Sequence, residues 1–171
     1  MRIIPWSHIK SWRCLGCGNI CCTSSLIPLT PKEWARIVQK LGYEYTETGL
    51  TGFYLKRTAE NRCVFQYEFM GKYLCAIQDM KPKACKLWPF KVYKYPKYGF
   101  AKEALYQYGG ENLYIYVDTK CEGIIYGKPS NHLIRNILPE FVEIALDTRE
   151  EQVYSTANLP VKPKISGFIY L

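Results

Sequence analysis

The sequence predicts an α+β fold, a single small domain over residues 1–171 built from short antiparallel strands and helices. Three observations predict it. Short runs in which polar and apolar residues alternate fill the middle of the chain, as half-buried strands do. One stretch before them and one after repeat apolar residues at helical spacing. A chain of 171 residues with 48% hydrophobic and 22% charged residues supplies one domain with a real core and is short for two. The 15 tyrosines suit strand faces, where aromatic rings pack well.

In chain order, Met1–Arg13 is basic and aromatic, with Trp6, His8 and Trp12. Its apolar stretch is too short for a signal peptide, and no run approaches the length of a membrane span, so the chain reads as cytoplasmic. Next comes Cys14-Leu15-Gly16-Cys17-Gly18-Asn19-Ile20-Cys21-Cys22, four cysteines in nine residues with two glycines that allow tight turns. Thr30 is a helix N-cap, Pro31 suits the first turn and Glu33 closes a capping box. Trp34, Ile37, Val38 and Leu41 form the apolar stripe, and Gly42 ends the helix.

Thr51–Lys56 and Arg62–Phe69 read as a hairpin around a Thr58–Asn61 turn, with Cys63 opening the second strand. Lys72–Ile77 is a further strand carrying Cys75. Lys81–Phe90, bracketed by Pro82 and Pro89, reads as a turn or a single helical turn around Cys85. Val92–Tyr95, Phe100–Tyr108 and Asn112–Val117 are strand candidates ahead of Cys121. Ser130 caps a last helix with apolar rows through Leu133, Ile137, Phe141 and Ala145 and through Ile134, Leu138, Val142 and Leu146. Pro139 should kink or split it. Ile165–Leu171 reads as an edge strand.

Eight cysteines could make four disulfides. The lack of a secretory signal, a chain large enough to fold without staples and the crowding of four cysteines into one turn all point instead to metal, although intracellular proteins of hyperthermophiles do carry disulfides. Thiolates select zinc, Cu(I) or iron–sulfur clusters, and a closed site takes four ligands. Neighbouring side chains tend to point apart, so the adjacent pair Cys21 and Cys22 suits two sites or two faces of one. The centre is therefore expected to be an iron–sulfur cluster (4Fe-4S) or zinc. Zinc fingers pair two C-x2-C knuckles and this chain has one, so the irregular spacing tilts towards a cluster. Radical S-adenosylmethionine enzymes show C-x3-C-x2-C, a different order of gaps.

The pattern C-x2-C-x3-C-C, then Cys63 and Cys75, then Lys81-Pro82-x2-Cys85-x2-Trp88-Pro89-Phe90, then Cys121-x-Gly123 resembles the YkgJ-type cysteine-cluster family, a candidate zinc- or iron-chelating domain. The resemblance covers about residues 12–130. Lys81-Pro82 stands where the family usually has Arg-Pro. The resemblance implies Cys14, Cys17, Cys21, Cys22, Cys63, Cys75, Cys85 and Cys121 as metal ligands. Flagellin lysine methylase shares this kind of motif in a much longer chain. No glycine-rich fingerprint for S-adenosylmethionine accompanies it here.

Between Lys81 and Lys102 lie seven lysines and no acid, which is nearly all of the formal net charge of +8. Lys81, Lys83, Lys86, Lys91, Lys94 and Lys97, with Tyr93 and Tyr95 interleaved, make a candidate nucleic-acid surface, lysines for phosphate and rings for stacking. A solvated strand edge, where lysine blocks aggregation, accounts for the same run.

Three functions follow as expectations. The first is a cysteine-ligated metal-binding protein whose metal is mainly structural, with redox activity as its second use. The second is an RNA- or ribosome-associated basic protein whose metal holds the fold. The third is a protein-modifying enzyme related to flagellin lysine methylase. Contact with a protein partner is compatible with each. No Ser/His/Asp grouping and no P-loop is present, and His8 and His132 read as structural or surface residues, so no catalytic residue is assigned.

Overall fold

The computed structural model describes residues 2–18 and 26–154. The N-terminal stretch, for which the sequence predicts no element, forms strands β1 (Ile3–Pro5) and β2 (Ile9–Trp12) on either side of one 3-10 turn at Trp6–His8. After the cysteine loop, β3 (Pro28–Leu29) leads into α1 (Pro31–Leu41). The predicted cap is present in full. The Thr30 Oγ1 accepts from the Glu33 N–H at 3.2 Å, and Glu33 Oε2 accepts from the Thr30 N–H at 2.8 Å.

Strands β4 (Thr46–Gly49) and β5 (Gly52–Leu55) form a hairpin, and β5 also pairs with β3. Strands β6 (Gln66–Phe69) and β7 (Lys72–Cys75) form a second hairpin. This corrects the pairing expected between Thr51–Lys56 and Arg62–Phe69. The Thr58–Asn61 turn exists, closed by the Asn61 N–H to the Thr58 carbonyl at 2.9 Å, but the ladder beyond it is a single bridge, Arg57 with Cys63. Met70 and Gly71 both have positive φ (47° and 71°) and join Phe69 to its partner Lys72. That two-residue turn matches strand twist, so β6 is drawn to β7.

The helical turn α2 (Lys83–Lys86) carries Cys85, followed by β8 (Phe90–Tyr93). The expected strand Phe100–Tyr108 is half helix. Phe100 takes a left-handed φ of 52°, α3 (Ala101–Ala104) follows, and only β9 (Leu105–Tyr108) is extended. Strand β10 (Glu111–Asp118) is the centre of the main sheet. It pairs with β8 along one edge and with β9 and β1 in succession along the other, all antiparallel. Strand β11 (Ile124–Tyr126) pairs with β2.

The last helix begins where expected, with Ser130 Oγ accepting the Leu133 N–H at 3.2 Å. Beside Pro139 it divides into two elements, as a proline there leads one to expect. Leu133–Ile137 forms a π turn and α4 (Leu138–Ala145) continues from it, with right-handed backbone at Ile137 and Leu138. A π turn re-registers the backbone bonds, so the proline falls within the first turn of α4, where a missing N–H is harmless. Ile165–Leu171 lies outside the described residues. No helix among the described residues is long and apolar enough to cross a membrane.

Two buried clusters make the interior. The first sets Trp12 edge-on against Phe90 and Phe141, with ring centroids at 5.5 and 5.3 Å, amid the main sheet and α4. The second gathers Ile27, Leu29, Ile37, Leu55 and Phe65 beneath α1 and the smaller sheet, with Trp34 stacked on Phe53 at 4.4 Å.

Candidate metal centre

Both cores end at one cavity of about 60 Å³, and all six described cysteines line it: Cys14, Cys17, Cys63, Cys75, Cys85 and Cys121. That volume holds a few water-sized spheres, since one needs about 10–15 Å³. Cys14 and Cys121 pack against the first core, whereas Cys63, Cys75 and Cys85 pack against the second. Cys21 and Cys22 lie outside the described residues.

Each cysteine is delivered by a different local device. Cys14 follows the end of β2, whose register with β11 is extended when the Arg13 N–H donates to the Gly123 carbonyl at 3.1 Å. Gly123 is required there, because a Cβ would collide with the Arg13 carbonyl oxygen. Cys121 sits in the turn between β10 and β11, its N–H on the Asp118 carbonyl at 3.2 Å. Cys63 holds the lone bridge to Arg57, Cys75 closes β7 and Cys85 rides on α2.

Cys17 lies in a loop tied to the β6–β7 hairpin by three bonds. The Tyr73 N–H donates to the Gly16 carbonyl at 2.8 Å, Gln66 Nε2 to the Gly18 carbonyl at 2.9 Å and Lys72 Nζ to the Leu15 carbonyl at 3.0 Å. Gly16 and Gly18 both have φ of 65°, the left-handed region in which glycine is unstrained. A Cβ on Gly18 would also strike the Tyr73 ring. The hairpin that holds this loop is the one that ends in Cys75.

The other lining residues are mostly apolar, and they include Trp12, Phe65, Leu74 and Trp88. Three polar features stand among them. Trp12 Nε1–H donates to Cys121 Sγ at 3.3 Å. Lys81 and Lys120 bring positive charge to the lining. Among the described residues the buried Gln66 Oε1 has no hydrogen-bond partner, a costly state for an acceptor. Sulfur donors in a low-dielectric pocket, with N–H and cationic groups beside them, fit a thiophilic metal ion or a cluster. Among the described residues no three Cys, His, Asp or Glu side chains are grouped tightly enough to hold an ion, and no two cysteines are joined as a disulfide.

Trp12, Gln66 and Lys120 are absent from the expected site. Trp12 stands two residues before Cys14 and was readable as a neighbour of the loop; Gln66 and Lys120 reach the cavity through the fold, with no sequence signal.

The lysine run is dispersed. Lys81 lines the cysteine cavity, and Lys83 pairs with Asp147 at 2.7 Å. Lys86 Nζ donates to the Glu150 carbonyl at 2.7 Å. Lys91 is on β8, Lys94 lies 3.8 Å from Glu111, and Lys97 Nζ sits 4.8 Å above the Tyr93 ring. Burial, the Tyr98 hydroxyl and the neighbouring tyrosines push the Tyr93 phenol far up. Tyr95 is 58% exposed. His8 and His132 lie edge-on to Phe100 and Tyr154.

Neither a curated protein nor a solved structure matches the chain. The model of the CxxCxxCC family, a candidate zinc- or iron-chelating domain, matches residues 13–122, well over half of the sequence and the span that contains all eight cysteines. The chain belongs to that zinc- or iron-chelating cysteine-cluster family.

Proposed function

We propose that this is a cysteine-ligated metal protein whose metal ties the two hydrophobic cores together. The observation that carries the reading is that six cysteines, drawn from both cores and from the loop between them, line one cavity. Cys21 and Cys22 complete the ligand set from the same loop. When bound, the metal supplies cross-links between segments far apart in sequence, and as a cluster it adds a site for one electron. Zinc and a 4Fe-4S cluster both suit thiolate ligands; the irregular spacing of the loop favours the cluster.

The residues around the ligands have separable roles. Trp12 presents an N–H to one sulfur, Lys81 and Lys120 offset thiolate charge, and Gly16 and Gly18 let the loop turn. Binding energy at such a site is folding energy, about 10–16 kcal/mol for structural zinc in small peptides. Protein purified without oxygen should carry stoichiometric zinc, or iron with acid-labile sulfide. Stripping it should lower the melting temperature sharply. Metal-free protein from such a preparation, or an unchanged melt once metal is shown to be gone, would overturn the structural role.

A second reading is favoured by one observation. Strand β8 is a sheet edge, and exposed Tyr95 stands just beyond it between Lys94 and Lys97, a stacking ring among cations that suits RNA. Only Lys91, Lys94, Lys97, Tyr93 and Tyr95 enter this narrower surface, because Lys81, Lys83 and Lys86 are drawn elsewhere.

A further inference from the structure

A second cavity, of about 140 Å³, lies between the first turns of α1, the α2 turn and the segment after α4. Its lining carries Lys32, Arg36, Lys81, Lys83, Lys86 and Arg149. Three acids face them, and two are already engaged. Asp147 is taken by Lys83 at 2.7 Å. Glu33 spends its carboxylate on backbone N–H groups, those of Thr30 at 2.8 Å and Lys83 at 2.6 Å. Glu150 is the third. On the basic side, Arg149 is turned away to Glu140 and Glu143, at 3.2 and 3.1 Å.

That accounting leaves Lys32, Arg36, Lys81 and Lys86; Lys81 also lines the cysteine cavity, and of the rest Arg36 and Lys86 each reach a backbone carbonyl. Arg36 reaches the Asp79 carbonyl at 3.4 Å, and Lys86 reaches the Glu150 carbonyl at 2.7 Å. Among the described residues neither has a carboxylate at ion-pair distance. Lys86 is only partly exposed, and the Glu150 and Glu33 carboxylates act on it from beyond ion-pair distance, so an anion in direct contact would still offset the cost of drawing this cation from water. Met80 and Ile144 close the cavity with apolar surface. An arginine fork beside a lysine is the pairing that recognises phosphate oxygens.

We propose that this cavity binds a phosphate group, free or carried on a small molecule, between Arg36 and Lys86. The site adjoins the cysteine cavity: Lys81 lines both, and α2 gives Cys85 to one and Lys83 and Lys86 to the other. Lys86 is adjacent to Cys85, so the two cations are tested separately, with metal content measured in each protein.

The experiment is calorimetric titration of the metal-loaded full chain with inorganic phosphate and, in parallel, with glycerol 3-phosphate, at fixed ionic strength with chloride as the reference anion. Saturable binding of either is expected, weakened at least tenfold in Arg36→Gln and in Lys86→Gln and unchanged in Lys128→Gln, an exposed lysine that does not line the cavity. Tighter binding of the ester than of phosphate would assign a phosphorylated small molecule; equal binding would assign the free ion. Should Lys86→Gln lose metal, Arg36→Gln decides alone, because Arg36 is on α1 and does not line the cysteine cavity. Absence of saturable binding, or equal binding by Arg36→Gln and wild type, would overturn the proposal while leaving the metal reading untouched.

Discussion

The indole N–H of Trp12 points at the sulfur of Cys121, 3.3 Å away across 109 residues of chain. The same ring is packed edge-on against Phe90 and Phe141, so one side chain joins the first core to the cysteine cavity. Hydrogen bonds to sulfur tune a thiolate's donor strength and a cluster's potential. Trp12→Phe should keep most of the packing and lose that bond, a change of about 1 kcal/mol. Metal retention against a competing chelator should fall severalfold, and the visible or cobalt-substituted spectrum should shift. Trp12→Ala instead opens the core, at about 3–5 kcal/mol. A Trp12→Phe protein with unaltered spectrum and retention would show that the N–H does not act on the metal.

Gly18 and Gly71 give a matched pair. Both have positive φ, 65° and 71°, but a Cβ at Gly71 meets open space while one at Gly18 meets the Tyr73 ring. Gly71→Ala should cost only the left-handed backbone penalty, about 1–2 kcal/mol. Gly18→Ala carries the same penalty and also pushes the cysteine loop off its hairpin. It should therefore melt lower than Gly71→Ala and lose metal, whereas Gly71→Ala keeps it. Equal metal content in the two variants would detach the loop's backbone from the site.

What was legible in the sequence was what depends on near neighbours. The Thr30–Glu33 box needs only four residues and formed as expected. Local alternation also marked β5, β6, β7 and β10, but β1, β2, β4 and β11 escaped it, and strand partners were not local. Alternation marks Gln66–Phe69 as extended without saying whether Leu55 or Lys72 lies opposite, and the left-handed Met70–Gly71 turn decides it. The double glycine at 109–110, with φ of 57° and 83°, likewise sets Tyr108 against Glu111. The cysteine loop announced itself by spacing. That Cys63, Cys75, Cys85 and Cys121 reach its cavity follows from tertiary packing, and so does the reach of Glu33 across 50 residues to the Lys83 N–H.

Acid should loosen the α4 end of the fold. The Tyr108 hydroxyl and Arg149 both bond the Glu143 carboxylate and hold it below the ordinary carboxylate range. A carboxyl lowered in the folded state adds stability above its unfolded value, and that stability is lost as pH falls through the lowered folded value. Tyr108→Phe removes the largest cause of the shift. Its deficit against wild type in denaturant melts should be greatest near neutral pH and shrink on acidification below the usual carboxylate range. A deficit that stays constant with pH would assign Tyr108 a packing role alone.

The edge strand β8 separates the two uses of its lysines. If Lys91, Lys94 and Lys97 hold RNA phosphates, they release counterions together and affinity falls steeply with salt, roughly 0.7–0.9 of a logarithmic unit per contact. Reversing all three to Glu should then abolish RNA retention at moderate salt and leave metal content and melting temperature near wild type, because none of the three lines the cysteine cavity. Tyr95→Ala should weaken binding at every salt concentration alike, since stacking carries no counterion term. If the lysines only protect the edge, the triple variant should show no difference in RNA retention. It should instead self-associate more at neutral pH, because replacing +3 by −3 on a chain of net charge +8 brings it towards neutrality. Equal RNA retention by the two proteins would leave β8 as a guarded edge.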